Sequence, residues 1–102
     1  MRLLVMFDLP TGSKAERKTY AEFRKFLIED GYTMLQFSVY TRILLGRDSA
    51  EAHVRRIKAN APAVGAVTVL ELTEKQFESR ITVTDTRPGK SLDLGAQLTL
   101  SF

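Results

Sequence analysis

Leu3-Leu4-Val5-Met6-Phe7 is an unbroken apolar run closed by Asp8 and Leu9-Pro10. A short apolar run ended by proline reads as a buried strand, here Arg2–Phe7. Thr11-Gly12-Ser13 then makes a turn, and Ser13 with Glu16 forms a capping box that opens a helix. The period becomes helical. Tyr20, Phe23, Phe26 and Leu27 share one arc of about 120°, and Lys14, Arg17, Lys18, Arg24 and Lys25 share another of similar width. The aromatic arc faces the core. The basic arc is a solvated face or a binding surface. Gly31 stops the helix just past Asp30.

The stretch Tyr32–Leu45 is rich in β-branched and aromatic residues but too long for one strand, so a break is expected at Gln36-Phe37-Ser38. Gly46-Arg47-Asp48 ends it. Asp48 and Glu51 repeat the capping-box spacing, and a second helix follows with Ala50, Val54, Ile57 and Ala61 on one face. His53 borders that face as a packed or half-exposed residue rather than a ligand, and Pro62 ends the helix. Ala66–Leu72 reads as a strand, Thr73–Phe77 as a helical turn and Ile81–Thr84 as a short strand. Asp85–Ala96 is a loop containing Pro88, Gly89 and Gly95; Leu98–Phe102 alternates like a strand with one buried face.

The element order predicts an α+β fold, ferredoxin-like βαββαβ, with an antiparallel sheet, helices on one face and short extra strands at the C-terminus. Residues 1–84 form its core, and 85–102 form a loop and strand expected to pack on a partner subunit or another protein. No third layer remains to cover the sheet's second apolar face. A homodimer packed sheet to sheet would cover it.

A chain of 102 residues fits one domain with a core of its own. The absence of cysteine excludes disulfides, zinc–thiolate sites and thiol nucleophiles, and a single histidine excludes multi-histidine metal sites within one chain. No signal-peptide pattern or long apolar span is present, so a soluble cytoplasmic protein without membrane contact is expected. The net charge of +3 is unevenly spread. Residues 1–60 hold eleven basic and seven acidic side chains, and residues 61–102 hold four and five. A positive field concentrated in the first part suits a nucleic-acid partner, with simple solubility as the alternative.

Chemistry converges on Asp8, the one acid placed at the end of an apolar strand. It either organises the turn or does chemistry there. Glu71 lies within a strand whose apolar neighbours leave its orientation open. Mg²⁺-assisted phosphodiester hydrolysis usually draws on several carboxylates. Two Asp8 side chains brought together across a two-fold axis would supply them, and their repulsion would favour a bound cation or a shared proton. No Walker loop, dinucleotide-binding glycine motif or serine nucleophile elbow is present. Phe37 and Tyr40 could imitate the exposed sheet aromatics of RNA-recognition modules, but that fold's signature is missing.

Taken in order, these segments resemble the family of the small CRISPR-associated protein two, partner of the CRISPR integrase. The resemblance rests on Val5-Met6-Phe7-Asp8, the basic helix start at Lys14, Arg17 and Lys18, and Gly31-Tyr32 leading into Gln36-Phe37-Ser38-Val39-Tyr40. Thr73-Glu74-Lys75-Gln76-Phe77 looks like the branch found with single-protein effectors. The resemblance covers residues 1–84. It implies a homodimer with facing sheets, Asp8 as the metal-binding and catalytic acid, Mg²⁺ as cofactor, and nuclease activity on RNA or double-stranded DNA. It also implies a scaffold that bridges integrase dimers during spacer acquisition. Phe7 departs from the family, many members of which carry Tyr before the acid. The basic residues Lys14, Arg17, Lys18, Arg24, Lys25, Arg42, Arg47, Arg55 and Arg56 are then candidates for phosphate contacts that read no sequence. Double-stranded DNA is the expected ligand and single-stranded RNA the alternative. A basic dimeric domain without catalysis, or one with an unrelated protein partner, remains the competing reading.

Overall fold

The computed structural model describes residues 1–88. Four strands and three helices follow in the order β1 (Arg2–Asp8), α1 (Lys14–Glu29), β2 (Thr33–Gln36), β3 (Val39–Ile43), α2 (Arg47–Asn60), β4 (Ala66–Leu72) and α3 (Glu74–Glu78). The strands form one sheet in the order β2-β3-β1-β4, with every neighbouring pair antiparallel. This is the α+β, ferredoxin-like arrangement expected from the element order.

β1 sits centrally because it is the most apolar strand. Leu3, Val5 and Phe7 are buried on one face. They pack with Phe23 and Leu27 from α1, Ala50 and Ile57 from α2, and Tyr40 from β3. Phe7 is the hub of the aromatic part, with ring centroids 5.1 Å from Phe23, 5.5 Å from Tyr20 and 5.8 Å from Tyr40. The ring at position 7 therefore belongs to the core.

Helix α1 begins at the Ser13–Glu16 capping box, with both reciprocal bonds formed. It ends before Gly31, whose φ of +92° only glycine adopts without strain. The long β-rich stretch breaks at Phe37–Ser38, where Ser38 takes φ +64°. Three details differ from expectation. Helix α2 is capped by Gly46 with no side-chain bond, so Asp48 and Glu51 form no capping box. The helix starts two residues earlier than an Asp48 cap would place it, at Arg47, which puts Asp48 inside the first turn. Residues 81–84 form no strand; Ile81 and Val83 are exposed, and no strand among the described residues pairs with them. The apolar–polar alternation there was not enough, although β2 and β4 are both open edges of the sheet among the described residues. Finally, Thr73 and Gln76 make a capping box that opens α3. The expected strand at 98–102 lies outside the described residues.

The second face of the sheet carries Arg2, Leu4, Met6 and Asp8 from β1, which alternate with the buried set. Directly paired residues share a face, so Val39 and Ile43 from β3 and Leu70 and Leu72 from β4 lie there too. Ile43 is 58% and Leu70 45% exposed. Helix α3 meets this face at the Arg2 end. The Phe77 ring lies between the guanidinium groups of Arg2 and Arg80, at 3.8 and 3.9 Å, and Arg2 also pairs with Glu74. No helix of the described residues is long and apolar enough to cross a membrane.

Candidate functional site

Asp8 is the last residue of β1 and shares the face of Leu4 and Met6. It is exposed, and its carboxylate has no hydrogen-bond or ion-pair partner among the described residues. An acid organising a turn would bond to it, so the turn-forming alternative has no support here. The backbone around Asp8 is fixed from two sides. Asp8 pairs with Ala66, and the preceding Gly65 has φ +98°. A Cβ on Gly65 would lie 2.7 Å from the Asp8 carbonyl oxygen and 2.8 Å from the Leu9 side chain. On the other side, the Phe7 N–H donates to the Ser38 carbonyl at 3.0 Å, and Tyr20 Oη lies 2.8 Å from Ser38 Oγ. Gly65, Ser38 and Tyr20 support the site without carrying charge. Among these, only Gly65 had a sequence signal, a glycine directly before a strand.

Asp8 is the one acid at this strand end. No group of three or more metal-ligating side chains occurs among the described residues. Glu71 pairs with Leu3 on the helix-covered face, away from Asp8. Mg²⁺ binds through one or two carboxylates, several waters and substrate phosphates, so the lone exposed Asp8 supplies the minimum carboxylate that such an ion needs.

The candidate basic residues fall into separate groups. Lys14, Arg17 and Lys18 occupy the first turns of α1, which follows Asp8 after a short turn. Arg17 donates to the carbonyls of Thr11 and Gly12 at 3.2 and 3.3 Å, which ties the turn to the helix. Lys14, Lys18, Arg24, Arg47 and Arg55 are exposed and make no hydrogen bond or ion pair among the described residues. Lys25 lies 3.7 Å from Glu29, both well exposed. Arg47 opens α2 at the opposite end of the sheet from Asp8.

Arg42 and Arg56 instead gather around Asp30. Arg42 donates to the Asp30 carbonyl and lies over Gly31, where a Cβ would overlap its guanidinium. Arg56 Nε reaches the Asp30 carboxylate at 3.2 Å. His53, buried in α2, places Nδ1 3.3 Å from the same carboxylate and 3.1 Å from Tyr32 Oη. Burial lowers the His53 pKa, and the Arg56 charge lowers it further, against the pull of Asp30. Burial, helped by Asp30, pushes the Tyr32 phenol up to about 12. This is a packed junction of α1, β3 and α2, and it accounts for His53 as a core residue.

The family model for CRISPR associated protein Cas2 matches residues 1–80. The chain belongs to the Cas2 family. The CRISPR-associated endoribonuclease Cas2 of Acidovorax ebreus is 60% identical over 79 residues, covering 78% of each chain. The protein of the same name from Parvibaculum lavamentivorans is 51% identical over 77 residues, 76% of each chain. That of Streptococcus mutans UA159 is 48% identical over 81 residues, covering 79% of this chain and 74% of its own. The Cas2 match ends at residue 80, close to where the described fold loses regular structure.

Proposed function

We propose that this Cas2-family chain acts in CRISPR adaptation as a homodimer. Its sheets face each other, and it binds duplex DNA through phosphates and bridges integrase dimers. A Mg²⁺-dependent endonuclease activity accompanies that role, with Asp8 from each protomer as the shared acid. One observation carries the reading: an exposed carboxylate, unpartnered among the described residues, ends a strand whose same face bears an apolar row, Leu4, Met6, Val39, Ile43, Leu70 and Leu72, that is half-buried to exposed among those residues. Covering that row with a second copy would bring two acids onto one interface and remove the apolar surface from water. When bound, Mg²⁺ would neutralise phosphate charge and activate water. Asp8 would hold it, and among the described residues nothing engages either of its oxygens.

The exposed cations Lys14, Lys18, Arg24, Arg47 and Arg55 support backbone binding without sequence reading. The relatives' names specify an endoribonuclease, so RNA belongs beside DNA in any cleavage assay. The test compares wild type and Asp8→Asn, prepared identically, for Mg²⁺-dependent cleavage of RNA and duplex DNA and for integration with the integrase. Cleavage is expected to fall to background in the variant, with integration kept. Undiminished cleavage by pure Asp8→Asn would remove Asp8 from the chemistry.

A further inference from the structure

Phe37 stands 78% exposed in the break between β2 and β3. A single exposed phenylalanine is ordinary. This one differs in being held still. Its ring stacks on Tyr20 at 5.7 Å and 18°, and Tyr20 packs in turn on Phe7 in the core. The adjacent Ser38 is fixed at φ +64° by its carbonyl bond from Phe7 and its hydroxyl contact with Tyr20. The ring therefore presents one flat apolar face to solvent while its other face rests on a second ring.

The surroundings of that free face are polar. Gln36, Phe37, Thr84, Asp85, Thr86 and Arg87 line an open cleft. The segment that closes it is anchored to β2 by an Arg87 bond to the Leu35 carbonyl at 2.9 Å. Gln36 is exposed, and its side-chain amide, which carries both a donor and an acceptor, is not engaged among the described residues. Arg17 and Arg24 lie three residues before and four after Tyr20, on the same side of α1 as the stack. A rigid aromatic face, an unengaged amide and flanking cations match a nucleobase with its phosphates, whereas an apolar peptide would leave the amide and the charges unused.

We propose that Phe37 is a stacking platform for one unpaired base of a bound nucleic acid, with Gln36 facing the base edge. The assignment rests on the nucleic-acid-binding reading above and adds to it a preference for ends or strands whose bases are unpaired. Duplex phosphate contacts are blind to pairing; a stacked base is not.

The experiment measures affinity for two probes of equal duplex length, one blunt and one with splayed single-stranded ends carrying 2-aminopurine. The proteins are wild type, Phe37→Leu and Phe37→Trp. Wild type is expected to favour the splayed probe and to change its 2-aminopurine fluorescence. Phe37→Leu should weaken splayed-end binding by roughly 5- to 100-fold. Its affinity for the blunt probe should stay within about twofold, since phosphate contacts dominate there. Phe37→Trp should retain or exceed wild-type affinity for the splayed probe. Equal affinity of wild type for both probes, or equal loss on both in Phe37→Leu, would overturn the platform and leave duplex binding standing. Failure of wild type to bind either probe would overturn the nucleic-acid reading itself, and this inference with it.

Discussion

Asp8 ends β1, Asp30 caps α1 beside the other end of the sheet, and the two have opposite surroundings. Asp30 is surrounded by Arg42, Arg56, His53 and Tyr32, and its carboxylate and carbonyl are both engaged. Asp8 has an ordered backbone, fixed by Gly65 and Ser38, and a side chain with nothing to bind among the described residues. Structural acids are paired because burying a charge without a partner is costly. An acid held in place by its backbone, with oxygens unengaged among the described residues, is the arrangement that the proposed metal-binding role requires. The same contrast sorts the basic residues. Arg42 and Arg56 are committed to the Asp30 junction, whereas Lys14, Lys18 and Arg24 on α1 have no partner among the described residues.

The sharpest way to break this contrast is to neutralise each acid in turn. Asp8→Asn should leave the melting temperature within error of wild type while cleavage drops to background. Asp30→Asn should do the reverse, costing about 1–2 kcal/mol of stability and leaving cleavage by the folded protein unchanged. Thermal melts and cleavage rates on the same preparations decide it, and a destabilised Asp8→Asn would make Asp8 a folding residue.

Gly65→Ala attacks the backbone that positions Asp8. Positive φ alone should cost about 1–3 kcal/mol, before the collision with the Asp8 carbonyl. Both melting temperature and cleavage should fall, and a stable, fully active variant would separate Gly65 from the site.

The basic residues can be divided by salt. Lys18→Ala with Arg24→Ala should lower the log–log salt slope of duplex binding by about 0.9 for each phosphate that is no longer neutralised. Arg56→Ala should leave that slope alone and lower stability. The opposite result would exchange the two groups.

The smallest expected effect concerns His53. Its folded pKa lies below the unfolded value, so the unfolded chain takes up the proton first. The stability contributed by the neutral ring is complete above the unfolded pKa, about 6.5. It is lost as pH falls through the folded value. His53→Gln should flatten the decline of melting temperature with acidification, and an unchanged pH profile would show that the ring does not contribute to it.

The fold was legible in the sequence because its main elements each carry two agreeing signals. β1 has an apolar run and a proline stop, and α1 has a capping box and segregated arcs. Signals that stood alone failed. The acid spacing at Asp48 and Glu51 formed no cap, and the alternation at 81–84 formed no strand. The position of Asp8 at a strand end was legible because it closes an apolar run. Its supports were not, since Ser38 reaches the strand end only through a tertiary bond to Phe7, and Tyr20 only through Ser38 and the Phe7 ring. The division of the arginines was hidden for the same reason: Arg42 and Arg56 find Asp30 from different elements. A helical wheel shows a residue's direction but not its partner.

Everything proposed for Asp8 depends on two copies of it facing each other across the second face of the sheet. The chain has no cysteine, so one introduced thiol reports on one position. Asp8→Cys and Glu51→Cys, the latter exposed on α2 of the helix-covered face, are each treated with a short bismaleimide and resolved on a denaturing gel. Covalent dimers are expected from Asp8→Cys and monomers from Glu51→Cys. Monomers from Asp8→Cys, with dimers from Glu51→Cys, would refute the facing-sheet dimer and the shared acid with it.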